Sequence, residues 1–297
     1  MENEKILAAA AIGAGVFTVV VLLIRGTAKK SPTIVNPPGG TTPPGGTTPP
    51  GGTTPPVQPT CGVVRPLLQI IGGTQARPGR WPWQVLLQCK TQCGGSLISP
   101  LWVISAAHCV ETCGQTDMMV TLGAVDLKAN ETTRQVIRSS KIISHPNYTP
   151  NGFQNDICLI KLSQPATLTP FVNTVCLPTK DYDLNGKTLY TTGWGVYDPN
   201  QLKVGSTVLN ETTTFVCPAQ ADKTKICVQN KTGGPNGTPT GTCFGDSGGP
   251  LVLQDGNTWV LIGLTSYGSE GCVPDPTYFT NVFAFKTFID QTIANNP

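Results

Sequence analysis

Two observations predict an all-β protein, and a third bears on its compartment. Short apolar runs at 83–88, 97–98, 102–105, 157–162, 251–253 and 259–264 are separated by Gly, Pro, Asn and Asp, the pattern of many short strands with turns between them. Gly (33) and Pro (27) are abundant while helical periodicity is scarce, which favours a barrel or a sandwich. Eleven cysteines, none in a CxxC pair, predict a disulfide framework in an oxidising compartment. An odd count leaves at least one thiol free or paired with another chain. The single helical pattern is terminal, at 283–293, where Phe285, Phe288, Ile289 and Ile293 share one face.

Charge is nearly balanced, 20 Lys+Arg against 17 Asp+Glu, and no basic tract argues for a nucleic-acid partner. The 297 residues leave ample length for a substantial core.

Residues 6–24 form an uncharged apolar run long enough to span a bilayer as a helix. The run exceeds the usual apolar core of a signal peptide, which favours a membrane anchor over residues 1–30. Gly26-Thr27-Ala28 keeps a cleaved signal segment, and hence a secreted protein, open. Arg25, Lys29 and Lys30 follow the run, whereas Lys5 is offset by Glu2 and Glu4; that bias alone would leave the main domain in the cytoplasm. The cysteines point the other way and outweigh two or three charges, so the domain is expected outside the cytoplasm.

Residues 31–60 carry PPGGTT three times and close on Pro55-Pro56. Proline favours extended polyproline-II backbone and the glycines interrupt it. Full extension of residues 36–56 would reach about 65 Å at about 3.1 Å per residue. No core can form from this composition, so the segment is a disordered spacer. A short segment, 61–69, follows before the main domain at 70–297.

Within that domain the run Gly241-Thr-Cys-Phe-Gly-Asp-Ser-Gly-Gly-Pro250 crowds glycines around Ser247. Such a turn can present the hydroxyl and let the amides of Gly245 and Ser247 converge as an oxyanion hole. Asp246 beside it would repel that oxyanion unless neutralised. His108 follows small residues in Ser105-Ala-Ala-His-Cys109, and Asp156 opens an apolar strand in Asn155-Asp-Ile-Cys-Leu-Ile-Lys-Leu162. An acid there is costly to bury without a partner, and an imidazole N–H is a suitable one. Together the three side chains supply a nucleophile, a general base and a group that orients the base. The other histidine, His145, lies in a polar Ser-His-Pro-Asn-Tyr turn and reads as solvated surface.

From Cys61 onward the chain resembles the chymotrypsin/trypsin family of serine proteases. The matching motifs are IIGG at Ile70, WPWQV at Trp81, CGGSLI at Cys93, SAAHC at Ser105, NDICLIKL at Asn155, TTGWG at Thr191 and GDSGGPLV at Gly245. The resemblance implies two antiparallel six-stranded barrels, at about 70–177 and 178–297, with a cleft between them and a C-terminal helix. It implies His108, Asp156 and Ser247 as catalytic residues, an oxyanion hole at Gly245 and Ser247, and Ser266 beside Asp156. Protein or peptide substrates follow, with no cofactor.

It also implies a zymogen. Cleavage between Gln69 and Ile70 would free an α-amine that pairs with Asp246. The family carries Arg or Lys where this chain has Gln69, so the cut would need another activating protease or self-processing. The substrate pocket would be lined by Gly241, Thr242, Phe244, Thr265, Ser266, Tyr267, Gly268 and Thr277. It contains no acid, so neutral residues before the scissile bond are expected and Arg or Lys is not.

The resemblance pairs Cys61–Cys176, Cys93–Cys109, Cys217–Cys227 and Cys243–Cys272. Leu189 and Leu253 stand where a further family disulfide would be. Cys89 and Cys113 then remain on loops expected to be neighbours, an extra disulfide, and Cys158 is a buried free thiol. Ala124 and Arg134 replace glutamates of calcium-binding relatives, so no metal is expected. Asn130, Asn147, Asn210, Asn230 and Asn236 are glycosylation sequons.

Overall fold

The computed structural model describes residues 61–64, 74–196, 205–218, 222–229, 241–269, 272 and 276–297. The proposed membrane span, the stalk and the Gln69–Ile70 bond lie outside these residues. No helix among the described residues is long and apolar enough to cross a membrane.

Among the described residues thirteen strands run in order as β1 Thr74–Gln75, β2 Gln84–Gln88, β3 Gln92–Ser99, β4 Trp102–Ser105, β5 Met119–Leu122, β6 Gln135–Ser144, β7 Cys158–Leu162, β8 Leu189–Gly193, β9 Asn210–Val216, β10 Lys225–Gln229, β11 Pro250–Asp255, β12 Thr258–Gly268 and β13 Thr277–Asn281. The first barrel closes in the order β2-β3-β4-β7-β6-β5. The second runs β9-β10-β13-β12-β11-β8 and closes through β8–β9, with β1 added to its β9 edge. Among the described residues the pairings between these strands are antiparallel. β1 therefore precedes the first barrel in sequence yet belongs to the sheet of the second.

The continuous apolar run 259–264 reflects a strand buried on both faces. Val260 and Ile262 point into the second barrel with Leu251, Leu253 and Phe279. Trp259, Leu261 and Leu264 instead join the larger core that fills the first barrel and the space between the two. Alternation along a strand sends successive side chains to opposite faces, so β12 needs no polar face. Leu189 and Leu253 are direct cross-strand partners, both buried, and pack where a disulfide would otherwise bridge the two strands.

Residues 61–64 are stitched across the barrels. Gly62 N donates to Thr174 O at 2.7 Å and Trp259 N to Gly62 O at 2.9 Å. Gly62 has φ +65°, and a Cβ there would stand 2.4 Å from Trp259 O; only glycine fits. Cys61–Cys176 closes the same junction.

The terminal helix begins later than its periodicity predicts. A 3-10 turn, Phe283–Phe285, precedes α1, Lys286–Ala294, because Asn281 Oδ1 accepts from Phe283 N at 3.1 Å and tightens the entry. Phe285 and Ile289 are buried, with Phe288 and Ile293 packed at the edge. This face corrects the reading of His145. Its ring is only partly exposed and lies edge-on to Phe285 at 5.4 Å and Phe288 at 4.8 Å, and burial lowers its pKa.

Candidate active site

β4 ends at Ser105, and Ala107–Val110 forms one 3-10 turn carrying His108. Ala106 and Ala107 are fully buried, so larger side chains would not fit beneath the turn. Cys93–Cys109 fastens it to β3. The β6–β7 loop brings Asp156 to the start of β7, and the two residues meet twice. Asp156 Oδ1 accepts from His108 N at 3.0 Å, and Oδ2 lies 2.8 Å from His108 Nδ1.

Asp156 is completely buried, and the second barrel completes its shell. Ser266 Oγ of β12 donates to Oδ2 at 2.6 Å, and Thr280 Oγ1 of β13 donates to the Asp156 carbonyl at 2.7 Å. Burial pushes the carboxyl pKa up. The hydrogen bonds from the His108 ring, Ser266 and the His108 amide, with the imidazole charge, outweigh burial and hold it below its ordinary value. An ionised Asp156 accepts only, so Nδ1 carries the proton and Nε2 is left with a lone pair.

The turn bearing Ser247 is seated on the first barrel. Gly94 N donates to Ser247 O and Gly248 N to Thr265 O, both at 2.7 Å. Gly248, at φ +73°, would put a Cβ 2.0 Å from Ser105 Oγ, which explains the glycine after the serine. No hydrogen bond joins Ser247 Oγ to His108 Nε2 in this structure, and such bonds commonly tighten only with substrate bound. Among the described residues the amides of Gly245 and Ser247 donate to no protein acceptor. Both are therefore free to bind a ligand oxygen.

Asp246 is buried, and its carboxylate accepts from Gly195 N at 2.8 Å and Cys243 N at 3.0 Å. Burial raises its pKa to about 6, against the opposing pull of those two amides. A Cβ on Gly193 would lie 1.9 Å from Asp246 Oδ1, and one on Gly195 2.5 Å from its carboxyl carbon. The two glycines of the TTGWG motif thus make room for this one carboxylate.

One cleft of about 240 Å³ gathers His108, Ser247, Thr242, Phe244, Thr265, Ser266, Tyr267, Gly268 and Thr277. Gly241, expected in the pocket, is exposed and does not line it. No Asp, Glu, Lys or Arg lines the cleft among the described residues. Thr242 Oγ1 and Ser269 Oγ are buried without partners.

Phe153, which the sequence reading did not single out, also lines the cleft. Its ring stands edge-on to His108 at 5.5 Å and stacks on Tyr267 at 5.5 Å. Its φ of +50° is a tertiary property, and nothing in the local Asn-Gly-Phe-Gln-Asn sequence announces it.

All five expected disulfides form: Cys61–Cys176, Cys89–Cys113, Cys93–Cys109, Cys217–Cys227 and Cys243–Cys272. Cys158 is free and buried, its Sγ donating to Ala106 O at 3.2 Å, and burial pushes its thiol pKa far up. Cys93, His108 and Cys109 cluster at metal-like spacing, but disulfide sulfurs are not thiolate ligands. Where calcium-binding relatives carry glutamates, Arg134 donates to the carbonyls of Asp126 and Ala129 and to Glu131, so a cation already fills that loop.

The family model described as Trypsin matches residues 70–289. That stretch contains both barrels and every residue of the cleft, and the chain belongs to the trypsin family.

Proposed function

We propose that the protein is a serine endopeptidase that works through an acyl-enzyme. The observation that carries this reading is that His108, hydrogen-bonded twice to the buried Asp156, lines the same cleft as Ser247. Ser247 Oγ attacks the substrate carbonyl carbon while His108 Nε2 takes its proton. The oxyanion is held by the amides of Gly245 and Ser247. Collapse of the tetrahedral intermediate expels the amine, which receives the proton from His108. Water, deprotonated by the same imidazole, then releases the acid and restores Ser247. Asp156 fixes the Nδ1–H tautomer and stabilises the cation formed in each half.

The chain is made as a zymogen in this reading, and the cut before Ile70 supplies an ammonium to Asp246. A carboxylate buried at the base of the oxyanion turn, where two amides donate to it among the described residues, is a suitable receptor for that charge. The neutral cleft favours apolar or small polar side chains before the scissile bond. Its hydroxyls make glutamine acceptable, and with it self-processing at Gln69–Ile70. Residues 6–24 anchor the protein in a membrane, the Pro/Gly/Thr segment acts as a stalk, and the protease domain stands outside the cytoplasm.

The decisive experiment is organophosphate labelling of the protein cut at Ile70. Modification of Ser247 is expected. A correctly cut, folded protein that takes no label would instead be a catalytically silent homologue acting as a binding module. Cleavage of the Ser247→Ala protein at Ile70 with no added protease would exclude self-processing. A peptide library run on the labelled-competent form would define the residue preferred before the cut.

A further inference from the structure

We propose that Lys225 is a positioning residue of this site, holding the backbone of Phe153 and thereby the Phe153 ring against His108.

Lys225 opens β10, and the residue is buried at 6% exposure. Its Nζ donates to the carbonyl oxygen of Phe153 and lies 5.1 Å from the centroid of the Tyr267 ring. Tyr267 is the middle of an aromatic stack, with Phe153 on one side (5.5 Å, 16°) and Tyr278 on the other (4.8 Å, 13°). Phe153 in turn presents itself edge-on to His108. Lys225 pairs across the sheet with Thr280, the residue that donates to the Asp156 carbonyl. One residue therefore reaches the wall of the cleft through its side chain and pairs through its backbone with the strand supporting the buried acid.

Two facts suggest that this lysine does more than fill space. Phe153 occupies the left-handed region at φ +50°, a conformation that a bulky residue keeps only when its surroundings impose it. A buried ammonium is also expensive, since an apolar side chain of similar length would fill the volume without desolvating a charge. The arrangement compensates both. The carbonyl of the strained residue receives a charged donor, and the ammonium gains an acceptor and a π face. Burial lowers the Lys225 pKa, while the charges of Asp156 and Asp222 counteract that effect.

The test uses the full chain, which has only two histidines. Their ring-proton NMR signals are separated by a His145→Gln control. The ring current of Phe153 marks the His108 signal in the wild type. Lys225→Met is expected to move that signal toward an unstacked position, and Lys225→Arg to keep it. Lys225→Gln serves the same purpose if the Met form does not fold. This arm needs no turnover. The second arm rests on the protease reading. There Lys225→Met should lower kcat on peptides about 10-fold, less than the ~10²-fold that a 1 Å misplacement can cost, with KM within about twofold. In a Phe153→Gly background the lysine change should leave both readouts where they are. A His108 signal that does not move in Lys225→Met or Lys225→Gln, whatever the melting temperature does, overturns the proposal. A wild-type protein without turnover would fail the protease reading alone, and the NMR arm would still decide this one.

Discussion

Ser266 on the second barrel donates its hydroxyl to Asp156 Oδ2 at 2.6 Å, although Asp156 belongs to the loop that opens the last strand pairing of the first barrel. The acid hydrogen-bonded to His108 is thus held from across the junction of the two barrels, and their alignment is written into its electrostatics. Ser266→Ala removes one of the bonds that keep the carboxyl pKa below its ordinary value. A bond to a charged group is worth about 1.5–3 kcal/mol, of which the reaction should feel a part. We expect kcat/KM to fall about 10-fold, equivalent to about 1.4 kcal/mol, with the acid limb of its pH profile displaced upward. An unshifted acid limb would separate Ser266 from the titration of this pair.

Gly193 faces the other carboxylate. Its missing Cβ is the space taken by Asp246 Oδ1, and both partners are backbone-anchored and buried. Gly193→Ala should destabilise the fold by more than about 3 kcal/mol, in the range of severe overpacking. Differential scanning of the variant should show it, and Ser247 should lose its label. A melting temperature within a degree or two of the wild type would contradict the packing at this turn.

The Asp246 titration has a definite sign. In the uncut chain its folded pKa of about 6 lies above the ordinary 3.8, so the folded state binds the extra proton between those values. Its contribution therefore favours the fold below the ordinary value and is lost as pH rises toward 6, by about 3 kcal/mol for a shift of about two units. Thermal melts of the uncut wild type minus those of Asp246→Asn should show stability falling from pH 4 to 6. After the cut at Ile70 an ammonium beside the carboxylate should lower its pKa and reverse the slope. The same difference curve before and after cutting would argue that no ion pair forms.

Cys61–Cys176 spans 115 residues. Closing a loop of that length restricts the unfolded chain by about 4–5 kcal/mol in the entropic account. Cys61→Ser should lose stability of that order. It should also release residues 1–69 from the body once the Ile70 bond is cut, visible as a separate band on a non-reducing gel. The wild-type fragment should separate only under reduction.

Much of the site was legible because its chemistry needs particular side chains in a particular chain order. His108, Asp156 and Ser247 each sit in a short motif with a local rationale: small residues beneath the imidazole, an acid entering an apolar strand, glycines around a nucleophile. Four of the disulfide pairs followed from the same resemblance, and the fifth, Cys89–Cys113, from the two cysteines left on neighbouring loops. Phe153, Lys225 and His145 were not legible. A left-handed phenylalanine, a buried ammonium over a tyrosine and a histidine between two phenylalanines each depend on elements tens to more than a hundred residues apart.

By itself the sequence determined the strand-rich class, the candidate catalytic side chains and the family, because those rest on local periodicity and on residue type. Only the tertiary structure decided which barrel received β1, which face of β12 met which core, and why Gly193 and Gly195 flank Trp194. It also decided that the pocket is lined without Gly241 and that an aromatic ring guards His108. Those outcomes are set by close packing and by the need of each buried charge for a partner, and both partners are chosen by the fold rather than by neighbours in the chain.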